Sequence, residues 1–308
     1  MTRTVRLVLP ALACLVLLAS CARLPSTGVT TLRPASLAEL RDYLLYTQPD
    51  IDQFRPRGPF TAEVRDDVAI SLSDKQVVVA DLYRAGHSER APLVILLHGS
   101  ENTKDDHAYQ GLHLATWGFH CLVVQLPNRG PWVGNGQTLA RLVNLLRQRP
   151  DLVDARIDPE RIVIAGHSFG GAAVAIALSE GAAATGGVLL DPAGIGKELA
   201  KFLSRVNRPL VVIGSDYQVT RVRDHGLFYE LIRSNVTEVS VAGAHHEDAQ
   251  FPMEPDSDAS TTETHQITFV SALTAAAFSL GFTGKLDYVW ASFGGGRKSG
   301  RLFDALKK

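Results

Sequence analysis

Cysteine is scarce. Three cysteines in 308 residues exclude a disulfide-stapled scaffold, so a buried apolar core must hold the fold. Charge of neither sign is in excess: 31 Lys and Arg stand against 32 Asp and Glu, for a formal net charge of −1. A surface built to hold nucleic acid needs a clear basic surplus, which is missing here. No segment after residue 20 reads as long and apolar enough to cross a bilayer, which takes about 20 residues. The E-x-x-H and H-E-x-x-H spacings of metal helices are lacking, and no internal repeat is visible. What is present is a chain 45% hydrophobic and 20% charged. That composition excludes disorder as the dominant state, and the length suffices for one large α/β domain with a well-buried core.

The first residues read as an address. Arg3 and Arg6 lead into the uncharged apolar run Leu7–Leu18, 12 residues long and too short to span a bilayer. Leu18-Ala19-Ser20-Cys21 follows at once. It resembles the bacterial lipobox, which implies a signal peptide over 1–20 and a lipid on Cys21. Residues 21–36 are rich in Ser, Thr, Pro and Gly and read as a flexible tether. Ala22 in place of Asp after the Cys resembles the pattern that sorts lipoproteins to the outer membrane of two-membrane cells. The expected location is therefore the bacterial cell envelope, outside the cytoplasm, with the membrane as partner through Cys21. With Cys14 removed and Cys21 capped, Cys121 is the remaining thiol.

Residues 37–308 read as a single domain. Leu37–Leu45 has helical spacing, and Thr61–Leu72 and Gln76–Tyr83 read as neighbouring strands. Short unbroken apolar runs follow at 93–97, 119–125, 161–165, 187–190, 209–213 and 236–242, as parallel strands buried on both faces require. Helical stretches separate them at 108–117, 137–148, 170–179, 222–233 and 263–280. The alternation predicts an α/β fold, a doubly wound, mostly parallel sheet of about eight strands. Residues 191–209 leave room for one short helix and not for a large cap domain. Residues 247–264 read as a long loop that, with Trp132 after the fourth strand, lines a pocket.

Chemistry concentrates at Gly166-His167-Ser168-Phe169-Gly170-Gly171, directly after the run 161–165. This is G-x-S-x-G between a strand and a helix, a tight turn that lifts a nucleophilic serine clear of the sheet. Gly166 and Gly170 avoid a Cβ against the neighbouring elements. A base is expected after the last strand, where Gly243-Ala244-His245-His246 points to His246, with His245 the candidate if the register shifts by one. A metal reading of His245, His246, Glu247 and Asp248 is disfavoured, because adjacent residues rarely converge on one ion. Two acids, Asp191 and Asp216, each follow a strand, and either could orient the imidazole.

On these motifs, with His98-Gly99 and Asn128-Arg129-Gly130, residues 61–280 resemble the α/β-hydrolase superfamily. The G-H-S-x-G-G elbow and the Leu190-Asp191 pair are most similar to the platelet-activating-factor acetylhydrolase, chlorophyllase and dienelactone-hydrolase-like branch. The resemblance implies the α/β-hydrolase fold and oxyanion donors at the amides of Ser100 and Phe169, with His98 propping the loop. It selects Asp191 over Asp216 as the acid. The expected activity is hydrolysis of carboxylic esters through Ser168, His246 and Asp191, with no cofactor or metal. An amidase or peptidase on the same residues, or a non-catalytic ligand-binding lipoprotein, are the alternatives. Ser168 stands where dienelactone hydrolases carry Cys, which argues against that activity.

Overall fold

The structure is a computed structural model that describes residues 36–48, 50–216, 225–233, 235–251, 259–286 and 299–302. The signal peptide, Cys21 and most of the tether expected above lie outside the described residues.

Among the described residues, nine strands form one sheet: β1 (Ala62–Ser73), β2 (Gln76–Ala85), β3 (Ala91–Leu97), β4 (His120–Gln125), β5 (Ile157–His167), β6 (Gly186–Leu190), β7 (Leu210–Ser215), β8 (Val236–Val241) and β9 (Ser299–Leu302). Their order is β1-β2-β4-β3-β5-β6-β7-β8-β9, with β2 antiparallel to both of its neighbours, β1 and β4, and every other pairing parallel. The ninth strand is Ser-Gly-Arg-Leu at the far edge, and it carries no apolar run from which to read it.

Among the described residues, seven α-helices connect and cover the sheet: α1 (Leu37–Thr47), α2 (Ala108–Thr116), α3 (Trp132–Gln148), α4 (Phe169–Ser179), α5 (Leu199–Leu203), α6 (Gly226–Leu231) and α7 (Ala259–Phe278). All seven residues of β3 are buried, and their side chains alternate between two cores. Leu93, Ile95 and Leu97 pack with α3, α4 and Phe228 of α6, whereas Val94 and Leu96 pack with α1, α2 and α7. Helices therefore lie on both faces, which is why these strands show no polar alternation. At the start of α1 the Ser36 hydroxyl accepts the Glu39 amide at 3.1 Å, and Leu37, Leu40 and Leu44 face inward.

Several elements differ from the sequence expectation. Helix α3 begins at Trp132, five residues before Gln137, so Trp132 sits on a helix and not in a loop. Of the expected loop 247–264, residues 246–249 form a 3-10 turn and α7 already runs from Ala259, with 252–258 outside the described residues. The described part of the expected helix 222–233 is α6, six residues long, after which Ile232 turns extended. One segment, Glu263–Thr283, is long and apolar enough to cross a membrane by length and composition, contrary to expectation. Its apolar window is 83% buried inside the fold, so it is a core helix. Its Thr268, Ser271 and Thr274 hydroxyls bond carbonyls one turn back, which makes these polar residues compatible with the core. Between β6 and β7 the helix present is the five-residue α5, as the short spacing requires.

Candidate active site

Ser168 is the single residue between β5 and α4, at φ 55° and ψ −125°. A non-glycine residue adopts such a conformation only where its surroundings impose it. Here the Ser168 amide donates to the Leu190 carbonyl at 3.0 Å, and its own carbonyl accepts the amides of Gly171 at 2.9 Å and Ala193 at 3.0 Å. The strained turn is thus stitched to the end of the neighbouring strand. A Cβ at Gly170 would stand 2.3 Å from the His98 carbonyl oxygen, and one at Gly166 2.5 Å from that of Gly170. The glycines of the motif exist because backbone from three segments meets at this point.

His246 opens the 3-10 turn after β8 and is 4% exposed. Its Nε2 lies 2.9 Å from Ser168 Oγ and its Nδ1 2.5 Å from Asp191 Oδ2. A carboxylate only accepts hydrogen bonds, so Nδ1 carries the ring proton and Nε2 offers a lone pair to the Ser168 hydroxyl. That tautomer lets an imidazole take a proton from serine. Asp191 follows β6 at φ 39° and is 1% exposed. Its amide donates to the Ile213 carbonyl at 2.7 Å. Ser215, the last residue of β7, donates its amide to Oδ1 at 2.7 Å and its hydroxyl to Oδ2 at 2.9 Å. The two carboxylate oxygens therefore have fixed and different partners.

Asp216 is placed differently. It lies one residue past β7, and its Oδ2 accepts the Gly243 amide at 3.4 Å, bracing the turn that leads to His246. His245 is exposed, and its amide donates to Asp248 Oδ2 at 2.8 Å. The same oxygen accepts Nδ1–H of His265 from α7 at 3.1 Å, which ties the His246 turn to the core helix. Burial, against these donors, holds the Asp248 carboxyl above the usual carboxylate range. His246 and Asp248 thus face different partners rather than a common centre, and among the described residues no group of three or more His, Cys, Asp or Glu could hold a metal ion.

Ser100 follows His98-Gly99 at the end of β3. This loop passes against the nucleophile: a Cβ on Gly99 would be 2.9 Å from Ser168 Cβ. His98 is fully buried; its Nδ1–H donates to the Gly99 carbonyl at 2.8 Å and its Nε2 accepts the Leu126 amide at 3.2 Å. It props the loop, as its position predicts, and burial keeps its ring below the ordinary histidine range and hence neutral. Phe169 opens α4, so its amide has no partner inside the helix. The Phe169 ring stacks on Trp132 at 5.6 Å and 17°, and both rings are half-buried beside Ser168.

Sequence reading alone did not single out Ser215 or His265. Nor did it foresee that the His167 ring would lie 4.6 Å from that of His246, with Nε2 3.1 Å from the His246 carbonyl oxygen. The signal for Ser215 was slight, one hydroxyl ending an apolar strand.

A sequence model described as the alpha/beta hydrolase family matches residues 94–291, from within β3 to beyond α7. No curated protein matches the chain. The match covers well over half of the sequence and includes Ser168, Asp191 and His246, and on it this hydrolase belongs to the alpha/beta hydrolase family.

Proposed function

We propose that the protein is a serine hydrolase of carboxylic esters. Ser168 attacks the ester carbonyl while His246 takes its proton at Nε2, and Asp191 holds the ring and stabilises its charged form. The amides of Ser100 and Phe169 hold the oxyanion, each worth about 3 kcal/mol in the transition state. The N-terminus of α4 adds positive partial charge at the same place. His246 returns the proton to the leaving alkoxide, then activates a water that cleaves the acyl-enzyme. The observation that carries this reading is the continuous hydrogen-bonded line from Ser168 Oγ to His246 at 2.9 Å and on to Asp191 at 2.5 Å.

With only α5 between β6 and β7, the substrate is a short or accessible ester rather than one enclosed by a large lid. The stacked Trp132 and Phe169 form one wall beside the nucleophile. Within the family the proposed branch is that of platelet-activating-factor acetylhydrolases and chlorophyllases. The proposed setting is the bacterial cell envelope, with the chain anchored through a lipid on Cys21.

A fluorophosphonate probe tests the reading. The expected outcome is covalent label on Ser168, found by peptide mass spectrometry and absent from Ser168→Ala, with hydrolysis of p-nitrophenyl acetate lost in parallel. An unlabelled wild-type protein indicates a ligand-binding protein instead. Faster cleavage of matched anilides than of esters indicates an amidase.

A further inference from the structure

Behind Asp191 lies a second acid and imidazole that the hydrolytic steps do not use. Glu238 sits within β8, 5% exposed, with Val236, Thr237 and Val239 buried around it. A lone ionised carboxylate there would be costly. His225, at the start of α6 and also 5% exposed, meets it: Nδ1 is 2.6 Å from Glu238 Oε1. The other ring nitrogen, Nε2, is 3.0 Å from the carbonyl oxygen of Ser215. The His225 ring packs directly on the β7 backbone, since a Cβ on Gly214 would fall 2.4 Å from it.

The protons of this cluster can be counted. A carbonyl oxygen cannot donate, so Nε2 carries a hydrogen. A neutral imidazole then has only a lone pair at Nδ1, and the 2.6 Å contact with Glu238 needs one proton more. The two groups together hold two protons, and the negative charge of Asp191 favours placing both on the ring. We propose that His225 and Glu238 form an imidazolium–carboxylate pair that grips Ser215 and through it keeps Asp191 placed, which makes both of them positioning residues. The chain of contacts is complete. The pair fixes the Ser215 carbonyl, and the Ser215 amide and hydroxyl fix the two oxygens of Asp191.

Among the described residues, the charged groups facing His225 are Glu238 from β8 and Asp191 from the end of β6. Burial works against the ring's charge, yet the Glu238 hydrogen bond and these two carboxylates outweigh it and raise the ring above the ordinary histidine range.

The role rests on the serine-hydrolase reading, whereas the protonation state does not, so two readouts are used on the full chain. In ¹⁵N-histidine spectra at pH 8, wild type is expected to show a ring protonated on both nitrogens. That signal is assigned by its absence in His225→Gln and collapses to a neutral ring in Glu238→Gln. In the pH profile of p-nitrophenyl acetate hydrolysis, Glu238→Gln is expected to lower kcat about 10- to 10²-fold, the scale of a small misplacement, with KM little changed. Glu238→Asp recovers part of the loss. A neutral His225 in wild type overturns the proposal, and this result needs no variant to fold. So does a folded Glu238→Gln with unchanged kcat. Failure of the fluorophosphonate to label wild type counts against the hydrolase reading alone, since the spectra still report on the pair.

Discussion

Replacing Asp191 by Asn keeps the shape of the side chain and reverses one of its hydrogen-bonding ends. The structure determines which end must reverse. Oδ1 receives the Ser215 amide at 2.7 Å, and a backbone N–H cannot turn away. The Asn carbonyl oxygen must occupy that position, which puts the NH₂ where Oδ2 was, facing His246 Nδ1. The Ser215 hydroxyl, a donor to Oδ2 in the parent, can rotate and accept. His246 cannot adapt without penalty. To accept from the Asn NH₂ it must move its proton to Nε2, where it points at Ser168 and no longer accepts the serine proton. The nucleophile remains in place and its base is in the wrong tautomer. Loss of that function costs about 10⁴ in kcat, or about 5 kcal/mol of barrier. The measurement is kcat and kcat/KM on p-nitrophenyl acetate, with melting temperature and circular dichroism to show a folded variant. Asp216→Asn is the paired control. Its carboxylate braces the Gly243 turn, and a carboxamide oxygen can still accept that amide, so activity is expected within about fivefold of wild type. An Asp191→Asn enzyme within tenfold of wild type, or a crippled Asp216→Asn, refutes the reasoning.

Further outcomes follow from other parts of the molecule. Gly170→Ala places a methyl 2.3 Å from the His98 carbonyl, which must open the elbow. Fluorophosphonate labelling is expected to fall more than 10²-fold, with about 1–3 kcal/mol of stability lost in urea unfolding. His107, His113 and His120 are buried, and burial holds each ring down to about 4. Unfolded, the same rings take up protons near pH 6.5, so the unfolded state binds more protons between pH 6.5 and 4. Stability therefore falls as pH drops through that window, by up to about 3 kcal/mol per ring. Urea midpoints at pH 7, 6, 5 and 4 check this, and a flat series contradicts it. Trp132→Ala removes the stacked wall beside Ser168 and is expected to raise KM for longer acyl chains more than it lowers kcat. Cys21→Ala, expressed in a bacterial host, is expected to abolish incorporation of labelled palmitate and to release the protein from membranes. Retention of the label refutes the anchoring proposal.

Parts of this protein were legible without coordinates because their cause is local. A run such as Leu93–Leu97 flanked by turn residues can hardly be anything but a doubly covered strand, and β3 is buried throughout. Ser168 announces itself because the glycines beside it are the residues a strand–turn–helix crossing demands. Other parts were hidden for equally physical reasons. The helix read at 263–280 is α7, and what stayed hidden is that it is apolar enough to span a membrane, because Ser and Thr residues that return their hydroxyls to the backbone interrupt its pattern. Helix α3 starts at Trp132 in a stretch containing Gly134, Asn135 and Gly136, poor helix formers that its packing against α4 overrides. Strand β9 follows no apolar run because it is a four-residue edge.

By itself the sequence determined the order of strands and helices, the position of the elbow, and a short set of histidines and aspartates to serve it. These depend on spacing over a few residues, and spacing can be read along a line. The sequence pointed to His246 and, through a resemblance, to Asp191, and only the tertiary structure brings them together. His246 and not its exposed neighbour His245 reaches Ser168, 78 residues away, and Asp191 rather than Asp216 reaches His246 across 55. That choice depends on where β6, β7 and β8 end relative to one another. A carboxylate and an imidazole pair only when separate strand ends bring them within hydrogen-bonding distance, a condition that no interval along the chain records.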